Sequence, residues 1–286
     1  MSPPPLRSLV HPVSRTFSLS LYGLPGRIRP GISLAYLLAR ASDTVADAPG
    51  DCTPARRELL ALMQEKPDSI SPGHPGFPSS ATEAERRVFL AWPTLMQSLA
   101  SHVDADLIHL VWSRILQGQS MDLERKFLQT EGVALSWADV KTYASHVAGS
   151  VGEFWTRVLL RHFPKCSSLA TSTLEQLGHQ YGIALQLVNI CRDAGADRKL
   201  GRVYLSSEDH PKAMAAIKDG LKAGRQYTNS LKPARLFFAT KMPLVLAEAM
   251  RPALQEKSEP GVKLDRKRVW FLVIRAAMEA VLARRH

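Results

Sequence analysis

Cysteine is scarce in this chain. Cys52, Cys166 and Cys191 leave one residue over from any pairing and show no metal-ligand spacing. That excludes a disulfide framework or a zinc module and fits reduced, cytosolic thiols. Long apolar runs are also lacking. The nearest approach to the roughly 20 residues of a membrane span is Val269–Ile274, and Arg275 cuts it short. The opening MSPPPLRSLVHPVSR holds no apolar core of a secretory leader. Alternating strand patterns and low-complexity tails are absent as well. What is present is 286 residues with 45% apolar content, ample for a large core and far from a disordered composition.

Acidic residues are outnumbered, and the net charge is +11. Much of the excess lies late, in Lys263, Arg266, Lys267, Arg268, Arg275, Arg284 and Arg285. Basic residues flanking an apolar helix suit an anionic membrane surface, with a merely solvated basic face as the competing reading. No nucleic-acid partner is expected, since no recognised module occurs. Nor is a protein partner indicated. The expected location is cytoplasmic, with peripheral contact at the inner face of the membrane.

Helical periodicity recurs throughout. It predicts helices over 28–47, 83–100, 104–128, 137–161, 170–197, 211–229, 234–255 and 266–284. Residues 66–80, with four prolines and four serines, read as a loop. A fragment of about 65 residues before that loop is small for an independent core. The expectation is one all-α domain over 1–286.

Two motifs of identical spacing stand out: Asp43 with Asp47, and Asp193 with Asp197, each preceded by an arginine, Arg40 and Arg192. Carboxylates four apart share one helix face. At about 100° per residue, Tyr36, Arg40, Asp43 and Asp47 form one polar stripe, and Gln186, Asn189, Asp193 and Asp197 another. Apolar neighbours surround both stripes, so each is expected to line an internal cavity. Facing carboxylates need a cation between them, and Mg²⁺ is usually held by one or two carboxylates plus substrate phosphates. The residues thus point to a Mg²⁺-dependent enzyme acting on a diphosphate. Ser14, Arg15 and Thr16 precede the first long helix and suit a phosphate; Arg202 and Tyr204 follow the second acidic pair. In YASHVAGSVG, Tyr143 and Val147 share a face. Gly149 and Gly152 there serve either close helix packing or close approach of an apolar ligand.

Together SRTF, YLLARASDTVAD, YASHVAGSVG and LQLVNICRDAGADRKLGRVYL resemble the squalene/phytoene synthase family, in its order and spacing, from Ser14 to the last helix. SRTF, ASDTVAD and the late FFATKMPLVLAEAM–GVKLDRKR segment look more like the squalene branch, in a bacterial form without a carboxy-terminal anchor. The resemblance implies an all-α isoprenoid-synthase fold around a central apolar cavity. It implies head-to-head coupling of two farnesyl diphosphates to presqualene diphosphate, then NADPH-dependent reduction to squalene. The alternatives are a phytoene or dehydrosqualene synthase without reductant, or a presqualene diphosphate synthase. By resemblance, Asp43, Asp47, Asp193 and Asp197 hold Mg²⁺ and Tyr143 assists proton transfer. Ser14, Arg15, Thr16, Tyr36, Arg40, Val147, Gly152, Gln186, Asn189, Arg192, Arg202 and Tyr204 contact substrate. Arg15, Arg40, Arg192, Lys263 and Arg266 meet NADPH. Ala46 and Ala196 stand where many squalene synthases carry an extra glutamate, and Asp265 where a basic residue is usual.

Overall fold

Helix ends in this chain are written by its prolines and small polar residues. A computed structural model describes residues 6–14, 21, 23–48, 53–128, 130, 132–199, 201–255 and 265–282. Its helices are α1 (Leu6–Ser14), α2 (Arg29–Asp47), α3 (Pro54–Glu65), α4 (Glu83–Leu90), α5 (Trp92–Ala100), α6 (Ala105–Phe127), α7 (Trp137–Ala144), α8 (Ser150–His162), α9 (Thr171–Lys199), α10 (His210–Ser230), α11 (Ala234–Gln255) and α12 (Arg266–Leu282). Among the described residues there is no strand, only an isolated antiparallel bridge between Ser167 and Leu231. The protein is all-α.

The predicted helix over 83–100 is two helices. Pro93 lacks the N–H that would continue the ladder, so α4 ends at Leu90 and α5 restarts at Trp92 with proline in its first turn. The predicted helix over 137–161 is continuous but carries a π-turn, Ser145–Gly149, between α7 and α8. Helices α1 and α3 add to the predicted set; Thr53 caps α3 through the Arg56 N–H, with Pro54 next.

The chain forms two compact units: 1–22 with 26–130, and 23–25 with 131–286. The loop over 66–80 lies inside the first. There, Leu34, Leu37, Leu38 and Val45 of α2 are fully buried, while Tyr36, Arg40, Asp43 and Asp47 are half-buried. The end of α2 is fixed from outside the helix. Buried Arg56 donates from Nε and Nη2 to the Val45 carbonyl (3.0 and 2.7 Å), and from Nη2 to Ala46 (3.3 Å) and Ala48 (3.1 Å). Lys126 Nζ adds a bond to Ala46 at 2.7 Å. These cations satisfy carbonyls that the helix leaves open and oppose the negative end of its dipole.

In the second unit α9 is the central element, packing on the π-turn and on α8, α10 and α11. Backbones cross closely between α8 and α9. A Cβ on Gly152 would stand 2.0 Å from the Gly178 carbonyl oxygen, and one on Gly182 would stand 2.1 Å from that of Ala148. Only glycine permits such contact. Two buried hydrogen bonds tie these helices together: Tyr181 donates to the Thr240 carbonyl (3.1 Å), and the Thr156 and Tyr227 hydroxyls share a bond of 2.9 Å.

Candidate active site

The first acidic stripe belongs to α2. Arg40 Nη1 donates to Asp43 Oδ2 at 2.9 Å, and its Nη2 makes a short ion pair with Glu85. Glu85 is itself fixed by a capping box with Thr82 at the start of α4. Burial pulls the Arg40 pKa down, but the charges of Asp43 and Glu85 outweigh it and the net shift is upward. Burial also disfavours the charged form of Glu85; hydrogen bonds from Thr82 and Arg40 prevail and hold it below its ordinary value.

Asp43 behaves in the opposite way. Burial first, then the charge of Asp47, raise its carboxyl to about 7; Arg40 opposes this, and Glu85 and Asp122 add to it. The site therefore has more negative charge than its arginine neutralises, a condition that a bound cation relieves. Two donors in the same unit also stand ready for an anion. Arg40 Nε and the hydroxyl of Ser14, a residue only 4% exposed, are buried without hydrogen-bond partners. Tyr36, the fourth member of the stripe, donates to the Val13 carbonyl at 2.8 Å and ties α2 to α1.

The second stripe runs along α9, where Gln186, Asn189, Arg192, Asp193 and Asp197 are all half-buried. Arg192 grips Asp193 with two bonds, Nε to Oδ1 at 2.8 Å and Nη2 to Oδ2 at 2.5 Å. Those bonds raise the arginine's pKa against the opposing effect of burial. Beyond α9 the chain turns at Gly201, whose φ of +82° lies in the left-handed region. The Gly201 N–H donates to Arg198 (3.1 Å) and that of Arg202 to Asp197 (2.8 Å), the paired bonds of a Schellman stop. The turn brings Arg202 and Tyr204 into a small recess with Ile190, Ala194, Asp197 and Arg198. The Tyr204 ring stacks on Tyr143, with centroids 5.3 Å apart and both residues 9% exposed.

Val147 sits half-buried in the π-turn. Gly152 faces the Gly178 backbone, so of its two readings the structure supports helix packing. Arg15, Thr16 and Lys263 lie outside the described residues, as does the side chain of Arg266. Glu85 and Asp122 join the first acidic cluster without having been singled out in the sequence. Thr82-x-x-Glu85 signals only a helix start, and Asp122 stands in an ordinary amphipathic stretch of α6.

The donor set fits Mg²⁺ with diphosphate. The side chains are hard oxygen ligands, and Asp43 is short of positive charge. Among the described residues no three His, Cys, Asp or Glu side chains converge closely enough to cage an ion alone. Phosphate oxygens would complete the shell, which is the mode Mg²⁺ favours.

The family model described as squalene/phytoene synthase matches residues 10–283. Among curated proteins, the bifunctional lycopene cyclase/phytoene synthase of Leptosphaeria maculans is 30% identical over 200 residues, 68% of this chain and 32% of that protein. The one from Pyrenophora tritici-repentis is 28% identical over 217 residues, 74% of this chain and 36% of that protein. This chain thus spans about a third of the length of these relatives. Among solved structures, TcSQS with a bound ligand superposes with a TM-score of 0.72 at 19% identity, covering 97% of this chain and 90% of that one. The squalene synthase HpnC of Alicyclobacillus acidocaldarius gives 0.60 at 19%, covering 90% and 94%. A dehydrosqualene synthase gives 0.63 at 17%, covering 97% and 95%. These likenesses show the fold.

Proposed function

Because this chain belongs to the squalene/phytoene synthase family, and so to the prenyl-diphosphate transferases, we propose that it joins two farnesyl diphosphates head to head and reduces the product to squalene. The observation that carries the diphosphate chemistry is the same device in each unit. An arginine is locked onto the first aspartate of a DxxxD stripe, Arg40 on Asp43 at 2.9 Å and Arg192 on Asp193 at 2.5 Å.

Ionising an allylic diphosphate breaks a C–O bond, and both electrons leave with the diphosphate. That charge must be met as it develops. Mg²⁺, when bound, would supply this neutralisation; Asp43 and Asp47 of the first unit and Asp193 and Asp197 of the second are the carboxylates that would hold it. Arg40 and Ser14 offer buried donors to phosphate oxygens, and Arg202 adds a cation at the end of α9. The allylic cation is then attacked by the double bond of the second substrate, and proton loss closes a cyclopropane. The resemblance assigns that proton transfer to Tyr143, which stacks on Tyr204; an aromatic ring stabilises such a cation and a phenol hydroxyl can move such a proton. Val147, Gln186 and Asn189 complete the assigned substrate contacts on the π-turn and α9.

Of the residues assigned to NADPH, Arg40 and Arg192 are engaged by carboxylates. The other three have no described side chain. Hydride delivery therefore rests on resemblance to the squalene branch. The curated relatives' names favour a second reading, a phytoene-type synthase that uses no reductant. Incubating the protein with Mg²⁺ and either farnesyl or geranylgeranyl diphosphate, with and without NADPH, separates the two. Squalene formed only with NADPH supports our reading. Phytoene from geranylgeranyl diphosphate, with no C30 product from farnesyl diphosphate, overturns it.

A further inference from the structure

Helix α12 buries one face and leaves a second apolar face uncovered. Leu272 and Ala276 pack with Met242 and Val245 of α11, and Ala280 is buried on the same side. On the opposite side Trp270, Phe271, Ile274 and Met278 remain 55–62% exposed. At about 100° per residue these four fall within an arc of roughly 100°. Single exposed apolar residues are ordinary, but four large ones on one arc mark an interaction surface.

The charges beside the arc identify what covers it. Arg268 and Arg275 are both exposed and lie along one edge of the arc. The acidic Glu279 is already held by Lys241 (2.9 Å) and Arg275 (3.3 Å). In sequence, Arg266, Lys267, Arg284 and Arg285 add to the positive charge at this end of the chain. A second copy of the chain, docking by a twofold axis, would bring the same cations face to face. A bilayer interior does not fit either, because among the described residues no helix is long and apolar enough to cross a membrane. An aromatic and aliphatic face with arginines on its edge matches a helix lying in a lipid–water interface.

We propose that α12 docks the protein on an anionic lipid surface, inserting Trp270, Phe271, Ile274 and Met278 among the acyl chains while Arg268 and Arg275 meet the headgroups. The proposal is independent of which prenyl product is made.

Co-sedimentation of the full chain tests it, using vesicles of phosphatidylcholine alone and of equal parts phosphatidylcholine and phosphatidylglycerol. Binding should favour the mixed vesicles and weaken with salt. Replacing Trp270→Ser and Phe271→Ser together should lower partitioning about tenfold or more, with circular dichroism and thermal midpoint unchanged, because both side chains face outward. Arg268→Gln with Arg275→Gln should remove the preference for anionic lipid. Absence of binding to the mixed vesicles at low salt overturns the proposal. So does binding that the Trp270/Phe271 variant retains in full, which would be adsorption of a basic protein by charge alone. A dimer in light scattering that this variant dissociates, without vesicle binding, would assign the face to a second copy.

Discussion

Replacing Asp43→Asn should make the folded protein more stable at neutral pH while abolishing turnover. The fold raises this carboxyl from its ordinary 3.8 to about 7. A group raised in this way is protonated in the native state before it is in the unfolded chain. Stability is therefore full below about pH 4 and is lost as pH climbs through the folded value. The interval from 3.8 to about 7 corresponds to about 4 kcal/mol at full weight. Although the carboxyl is surrounded by protein, 37% of the side chain's surface remains accessible. Solvent screening reduces the penalty to about 1–2 kcal/mol. Asparagine keeps an oxygen for the Arg40 bond and removes the charge. Urea unfolding of both proteins between pH 4 and pH 8, without divalent ions, should show curves that coincide at the acid end. They should diverge by about 1–2 kcal/mol above pH 7, in favour of the variant. A variant that is less stable at pH 7.5, or a difference that does not change with pH, would refute the electrostatic picture of this site. A residue that costs stability and is needed for activity is what a functional carboxylate looks like.

Three further outcomes are expected. Gly152→Ala should lose about 2–3 kcal/mol in urea unfolding, because its methyl would stand 2.0 Å from the Gly178 carbonyl oxygen. Gly26→Ala, with nothing within 4 Å, serves as the neutral control, and equal stability of the two variants would contradict the packing. Arg56→Met should cost about 3 kcal/mol by stripping the carbonyls at the end of α2 of their donor, and an unchanged midpoint would show that water replaces it. Glu85→Gln keeps the helix cap but frees Arg40; we expect normal stability with kcat/KM for prenyl diphosphate lowered about tenfold, restored by neither salt nor excess Mg²⁺. Unaltered kinetics would remove Glu85 from the positioning of Arg40.

Much of this was legible in the residues because helices repeat their neighbours every turn. The buried and half-buried positions of α2 follow the stripe drawn from Tyr36, Arg40, Asp43 and Asp47. Its predicted and observed limits differ by one residue. The break before Pro93 and the cap at Thr53 have local signals, a proline and a threonine at helix starts, but the single helix predicted over 83–100 and the unpredicted helix over 54–65 passed them by. Contacts distant in sequence were not. Nothing near Gly152 announces that its partner is Gly178, and nothing near Arg56 announces that it caps α2. Glu85 reads as a capping residue, and only the fold brings its other carboxylate oxygen to Arg40, 45 positions away. The π-turn at Ser145–Gly149 likewise has no local signature, since it follows from how the segment packs on α9.

The central claim is that both aspartate pairs hold diphosphate through Mg²⁺, and calorimetric titration with inorganic pyrophosphate tests it without turnover. Wild-type protein should bind pyrophosphate only when Mg²⁺ is present. Asp43→Asn and Asp193→Asn should each weaken that binding at least about tenfold. Binding that is indifferent to Mg²⁺, or that both variants retain in full, would contradict the account.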